Sequence, residues 1–433
     1  MRYRGLACTL LFVSRSWAAD PGLEHPRLPI WGGGAVALSG QHRLRYEFVE
    51  PTGLGIGPGA HQSSVLYSRN LLRLDATLSA SSRIFGELGA YAVLGAQQRA
   101  QPPSADDADV AQLFVEGLVE VAGLRLVTRI GRQEMPLGSS RWVAVRDGAN
   151  VRQAFDLVHL VLSDAVRWKV DAFLGTVPKL ERGAFDDALA ANNQFWGFYS
   201  TFSLLSNGLL NADAFYLGRR RPSVRYDIGV GREQRHTLGI RIFGRTRFGL
   251  EYVEHALIQW GTVGTATLRA WGLSSALWQA LPGSRGTVTL GVRGDALSGD
   301  ARPGDRTVGT FHPLFPSLAF FGALGAIYPA NLYDVHPFVR LKHAKWTLEA
   351  GHALFWRQTV ADSIFHPPGQ AIPSARSPSE RFTGSQSWVA LRYVADRHWH
   401  FDAEYSHFFA GPGLRAAGGQ SVDFFGTWTT YDY

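Results

Sequence analysis

Arginine is the chemically capable residue that recurs in this chain at regular spacing. Within Leu124–Gln133, Arg125 and Arg129 alternate with Leu124, Leu126 and Ile130. Arg43 and Arg45 interleave with Leu44 and Tyr46 in the same way. Arg73 stands between Leu72 and Leu74, Arg167 and Lys169 among Val166, Trp168 and Val170, and Arg241 between Ile240 and Ile242. Arg293, Arg340 and Arg392 extend the set. A guanidinium is a planar fork that donates two parallel hydrogen bonds to a carboxylate. A row of such sites, each weak, binds an acidic chain molecule and lets it move on. Glu47, Asp75, Asp171, Asp295, Asp402 and Glu404 share the same faces. Salt bridges that brace a wall are therefore the competing reading.

A denser group surrounds residues 134–149. Arg132, Arg141, Arg146, Asp147, Asn150, Arg152 and Asp156 fall within 25 positions. Either this connection folds into a pore as a constriction, or the acids and amide tie its arginines to a wall. Hydrolytic chemistry has thin support. Gly138-Ser139-Ser140 lacks the strand-turn-helix setting of a nucleophile elbow, and His400, Asp402 and Glu404 share a face without a second ligand cluster. No catalytic residue, metal site or cofactor is expected.

Period-2 alternation of apolar with polar residues marks a β-strand with two different faces. A soluble sandwich buries the apolar face; a membrane barrel turns it to lipid and keeps the charges inside. Several features favour the barrel. The 433 residues carry only 45% hydrophobic side chains, and beyond the first twenty positions no unbroken apolar run reaches the roughly 20 residues of a spanning helix. About 18 alternating segments can be counted. Short turns such as Ala80-Ser81, Val121-Ala122, Ser206-Asn207 and Asp396-Arg397 alternate with long connections such as 95–108, 176–193, 218–233 and 297–333. An up-and-down antiparallel transmembrane β-barrel must show that rhythm. One place departs, since 256–263 is short where a long connection is due. The chain closes on an alternating segment in which Phe425, Tyr431 and Tyr433 share a face, similar to the assembly signal of outer-membrane proteins. Thirteen tryptophans suit a membrane interface, because the indole has an apolar body and one donor.

The N-terminus has the order of an export signal: Arg2 and Arg4, then apolar 5–13, then Ala18-Ala19. Residues 1–19 are read as a signal peptide and 20–433 as one barrel domain. Cys8 is the only cysteine, so a mature chain would hold no disulfide or thiolate metal site. The net charge of +7 would suit nucleic acid, but the export signal and the lack of a basic run argue against that partner.

Three stretches resemble the alginate-export family of outer-membrane porins. They are GRQE at 131–134 with RDGANVRQAFD at 146–156; PLFP at 313–316 with GAIYPANLYD at 325–334 and FWRQ at 355–358; and EYSHFFAG at 404–411 with VDF at 422–424. The resemblance implies an 18-stranded barrel in the bacterial outer membrane. Its electropositive lumen would pass an anionic polysaccharide such as alginate by passive diffusion. Its expected partners are the acidic saccharide, outer-membrane lipid and lipopolysaccharide, the barrel-assembly machinery and periplasmic secretion proteins. Family exporters carry a long periplasmic loop over the pore, whereas the turn at 395–398 is short. A general or small-solute porin on the same scaffold is the alternative reading, and a barrel hydrolase the remote one.

Overall fold

Ile240 and Arg241 are neighbours, yet Ile240 is 49% exposed and Arg241 only 4%. That contrast runs the length of the chain and makes a wall with two faces. In a computed structural model, residues 27–30, 33–57, 61–95, 103–164, 166–205, 208–226, 229–317, 319–372, 375 and 379–433 are described. The expected signal peptide, Cys8 and the turn at Ser206-Asn207 lie outside the described residues.

Eighteen antiparallel strands close on themselves. They are β1 (Ala35–Glu50), β2 (Ser63–Ser79), β3 (Ser82–Leu94), β4 (Asp106–Val121), β5 (Leu124–Gln133) and β6 (Phe155–Ser163). Next come β7 (Trp168–Thr176), β8 (Gln194–Leu205), β9 (Leu210–Tyr226), β10 (Gly229–Arg245), β11 (Leu250–Val263) and β12 (Ala266–Gly283). The circuit ends with β13 (Gly286–Leu297), β14 (Leu332–His343), β15 (Trp346–Arg357), β16 (Phe382–Val394), β17 (Trp399–Ala410) and β18 (Val422–Asp432). Each pairs with its sequence neighbours, and β18 returns to β1 through Gln41–Asp432 to Glu50–Asp423. Even the shortest strands, 9 residues, reach the roughly 9–11 residues a tilted strand needs to cross a bilayer.

Leu72, Leu74, Leu238, Leu273, Leu290 and Leu391 stand outward as the alternation requires. Aromatic rings gather at the short-turn end, where Trp346 meets Tyr393 and Trp399 meets Tyr431 at centroid distances of 4.3 and 4.7 Å. Towards the other end, Trp196, His236 and Trp260 form a second group. Two such bands match the interfacial girdles of a membrane barrel.

Long and short connections alternate with two corrections to the sequence reading. Residues 218–233 are not a long loop; β9 and β10 continue their pairing out to Tyr226–Gly229. Their polar composition disguised strands that run on beyond the apolar band, where water rather than lipid meets the outer face. Residues 256–263 lie within β11, and the true connection is Gly264-Thr265. Gly264 has φ +57°, which a two-residue hairpin demands and glycine accepts without strain.

The seam between β1 and β18 is tight. The Gly40 N–H donates to the Tyr433 carbonyl at 2.8 Å, and the Gly40 carbonyl accepts from the Tyr433 N–H at 3.0 Å. A Cβ on Gly40 would stand 2.4 Å from both the Leu71 carbonyl oxygen and the Tyr433 ring. Gly40→Val should therefore cost about 1–3 kcal/mol by overpacking, read as a lower fraction of compact, heat-modifiable barrel on refolding. A refolded yield equal to wild type would show that the seam tolerates the side chain.

Candidate functional site

Two long connections turn inward and fill the middle of the lumen. Residues 134–154 join β5 to β6, and residues 298–331 join β13 to β14. They meet edge to edge: the Ala144 N–H donates to the Phe315 carbonyl and the Phe315 N–H to the Trp142 carbonyl, both at 2.9 Å. Around this junction the lumen is greasy. Trp142, Phe311, Phe315, Phe320 and Phe321 pack with wall residues Phe155, Phe195, Phe355 and Phe408 in one buried cluster. Phe315 lies 4.9 Å from both Phe155 and Phe195.

The polar contacts of the loops reach opposite walls. From β1 and β2, Arg43 and Arg69 pair with the Asp147 carboxylate at 3.3 and 2.7 Å. Both also donate to the Asp147 and Ala149 carbonyls, and Arg45 donates to the Gly148 carbonyl. The Asn150 amide donates to the carbonyls of Ser68 and Ser104 at 3.0 and 3.1 Å. Arg141 pairs with Asp295 of β13 and lies 4.0 Å from the Phe320 ring centre. Arg146 donates to the Pro316 carbonyl at 3.1 Å. Arg219 of β9 donates to the Leu314 carbonyl at 2.8 Å and covers Phe315. From β16, Gln386 donates to the Phe321 carbonyl, while Glu404 of β17 accepts from the Ala323 N–H, both at 2.8 Å. The 134–154 connection thus turns inward, and its polar groups pair with the wall.

Arg152 faces Glu87 and Glu134 at 2.8 Å each. Arg132 pairs with Asp156 at 2.8 Å and Asp187 at 2.7 Å. Burial pushes the Asp147 carboxyl up, but Arg69, Arg43 and Arg152 outweigh it and hold the group below its ordinary value. Glu134 goes the other way, to about 7, because burial dominates and Glu87 and Asp147 add to it against Arg152.

The wall cations are placed as follows. Arg73 pairs with Glu87 at 2.5 Å, Arg129 with Glu116 at 2.6 Å, Arg241 with Asp213 at 2.6 Å and Arg340 with Glu349 at 2.6 Å. Arg293 stands 3.8 Å from Glu349 and Arg392 3.4 Å from Asp402. Lys169 pairs with Asp171 at 2.9 Å. Arg167 departs from the wall. It sits at the exposed end of the β7 ladder, where its N–H donates to Asp164 and its carbonyl accepts from the Ser203 N–H. The side chains of Lys169 and Arg392 stay 49% and 40% accessible, and Arg129 is partly open. All three lie towards the short-turn end, below the inward loops.

Sequence reasoning missed Arg69 and the aromatic interior. Arg69 shares the face of Arg73, four residues on, but inward-facing Leu71 breaks the polar row between them. The signal for the interior was an apolar run, FHPLFPSLAFF at 311–321, inside a long connection, where loops are ordinarily polar. Ser139 lies 3.4 Å from His255 Nε2, but the pair is not set up for nucleophilic attack. The Trp142 indole can only donate, and it does so to His255 Nδ1 at 3.1 Å. The neutral ring then carries its proton on Nε2 and cannot accept one from Ser139.

The model of the alginate-export family matches residues 35–427. None of the curated proteins matches this sequence. Among solved structures, OccAB1 of Acinetobacter baumannii superposes with a TM-score of 0.61 at 10% identity, over 92% of this chain and 96% of that one. OpdO of Pseudomonas aeruginosa gives 0.60 at 11% identity over 92% and 97%. OccK5 (OpdH) of the same organism gives 0.58 at 13% identity over 92% and 97%. These likenesses share the fold.

Removing the Asp147 carboxylate leaves buried guanidiniums unpaired, so Asp147→Ala should lose about 3–5 kcal/mol. Thermal unfolding in detergent should show the loss, with larger and noisier single-channel conductance as the loop detaches. Unchanged conductance would mean the carbonyl contacts alone hold it. The Glu134 shift has the opposite sense to that of Asp147. Its contribution is complete below about pH 4.3, the ordinary glutamate value, and is lost as pH rises through about 7. Wild-type melting temperature should fall between pH 5 and pH 8 more steeply than that of Glu134→Gln; parallel slopes would remove Glu134 from the account.

Proposed function

The chain belongs to the alginate-export family, and on that premise we propose that it passes an acidic saccharide of alginate type through the bacterial outer membrane by passive diffusion. Family and fold both point to a transport channel. The observation that carries the finer reading is the set of partly accessible lumen cations, Arg129, Lys169 and Arg392, below the inward loops. Each is held by a carboxylate yet keeps accessible surface, so a passing uronate can compete for its hydrogen bonds. Competition of this kind gives weak, repeated capture, which conduction requires. The short-turn end would face the periplasm, as it does in barrels of this type. The solute, outer-membrane lipid, the assembly machinery and periplasmic secretion proteins are the partners that belong to this reading.

A second reading rests on one observation. The aromatic junction of the two inward loops narrows the lumen with apolar surface, which suits a small-solute porin better than a wide polyanion path.

Planar-bilayer recording separates the two. The acidic-saccharide channel should prefer anions and be blocked by oligouronates, with the half-blocking concentration raised roughly three- to tenfold in Arg129→Gln/Lys169→Gln/Arg392→Gln as the local field falls. Cation preference without block, or block unaltered by the triple change, would favour the small-solute porin. Fractionation should place the protein with the outer membrane.

A further inference from the structure

Three carboxylates converge at the long-connection end of the barrel, beside Arg132. Asp106 and Asp109 start β4, and Asp187 comes from residues 177–193, which join β7 to β8. One carboxylate oxygen from each lies within 4.8 Å of the others. The cluster is buried: Asp106 is 1% exposed, Asp109 6%, and the Asp187 side chain 5%.

Two of the three are already oriented. Asp109 accepts from the Val110 N–H at 2.7 Å and from the Asp186 and Asp187 N–H groups at 3.1 Å. Asp187 accepts from the Glu181 N–H at 3.0 Å and from Arg132 at 2.7 Å. Asp106 differs, since both of its carboxylate oxygens are buried and neither accepts a hydrogen bond. Burying a carboxylate without a partner is costly, and buried charges ordinarily pair or hold a metal. The cation nearby is Arg132, which Asp187 shares with Asp156. Arg132 is thus already divided between two carboxylates. Arg152 in the same cavity wall is engaged by Glu87 and Glu134.

We propose that Asp106, Asp109 and Asp187 hold a divalent cation, calcium by preference, that clips the 177–193 connection to the start of β4. The donor set is all oxygen and anionic, which suits a hard cation and not zinc or copper. The ligand type favours calcium, which takes several carboxylate oxygens in flexible geometry, whereas magnesium demands a near-ideal octahedron, dehydrates reluctantly and is rarely held by an all-protein cage. The backbone is laid out for such a clip. The Asp107 N–H donates to the Arg182 carbonyl and the Phe185 N–H to the Ala108 carbonyl, both at 2.9 Å. The connection thus already runs alongside β4, and the ion would neutralise the repulsion that remains. Through Arg132 and the cavity wall, the clip also borders Val151 and Ala154 of the inward loop.

The test uses the full-length mature barrel refolded in detergent free of lipopolysaccharide, which itself binds calcium. Calorimetric titration with calcium chloride should show about one site per chain, with magnesium at least tenfold weaker. Asp106→Asn should weaken calcium at least tenfold while keeping its heat-modifiable mobility; Asp187→Asn serves if that variant does not fold. Melting temperatures should cross: in chelator Asp106→Asn is the more stable, because repulsion is relieved, and in calcium the wild type is. No saturable heat with calcium, equal affinity in Asp106→Asn, or a variant more stable in both conditions would overturn the proposal. So would a swing of the Arg182 guanidinium into the cluster, seen as destabilisation by Arg182→Ala with no response to calcium.

Discussion

Hydrocarbon offers no hydrogen bonds, and every other feature of this fold answers to that. A strand in lipid must give each N–H and C=O to a neighbour, so the sheet has to close. Closure falls to the pairing of β1 with β18, ten residue pairs long. With the backbone satisfied by the ladder, side chains are free to differ on the two faces. Leu238, Ile240 and Trp271 go outward, and Arg241 and Asp213 go inward. The apolar outer row and the charged inner row are two results of one condition.

Inside, the same economy of polar groups decides where the loops go. Arginines of β1 and β2 would stand poorly hydrated in a narrowed lumen. The terminal nitrogens of Arg43, Arg45 and Arg69 donate to the Asp147 carboxylate and to carbonyls of residues 147–149, and so the 134–154 connection is drawn across. The 298–331 connection is held differently, by Phe311, Phe315 and their neighbours against wall aromatics. One loop is anchored by charge and the other by burial, and their shared edge makes the narrowing a joint property. The cations that keep water access lie below it, on the short-turn side of the aromatic junction.

Much of this was legible in the residue order. Alternation around Arg45, Arg73, Arg241 and Arg392 gave face and direction correctly, because a one-residue slip would turn every charge into lipid. The strand number and the closing aromatic strand followed from the same rhythm. The partners of each arginine were not legible. Arg73 meets Glu87 and Arg340 meets Glu349 across registers that hydrophobicity does not encode. The outer parts of β9 and β10 were invisible for a related reason: beyond the membrane the two faces are both wet, so alternation fades while pairing continues. Arg167 shows the limit at a strand end, where parity is right but the side chain lies in the turn and stays exposed.

The hairpin that turns at Gly264-Thr265 leaves the top of β12 beyond the reach of β13, whose pairing stops at Gly272. Thr307–Val308 from the neighbouring connection lies parallel along Thr267 and Leu268 there, and Val308 packs with Val263, Ala266 and Leu268. This small patch removes a row of free amide and carbonyl groups that would otherwise be a template for another chain. Sheet edges left bare in this way zip copies together, so two residues of loop guard the protruding ridge against self-association.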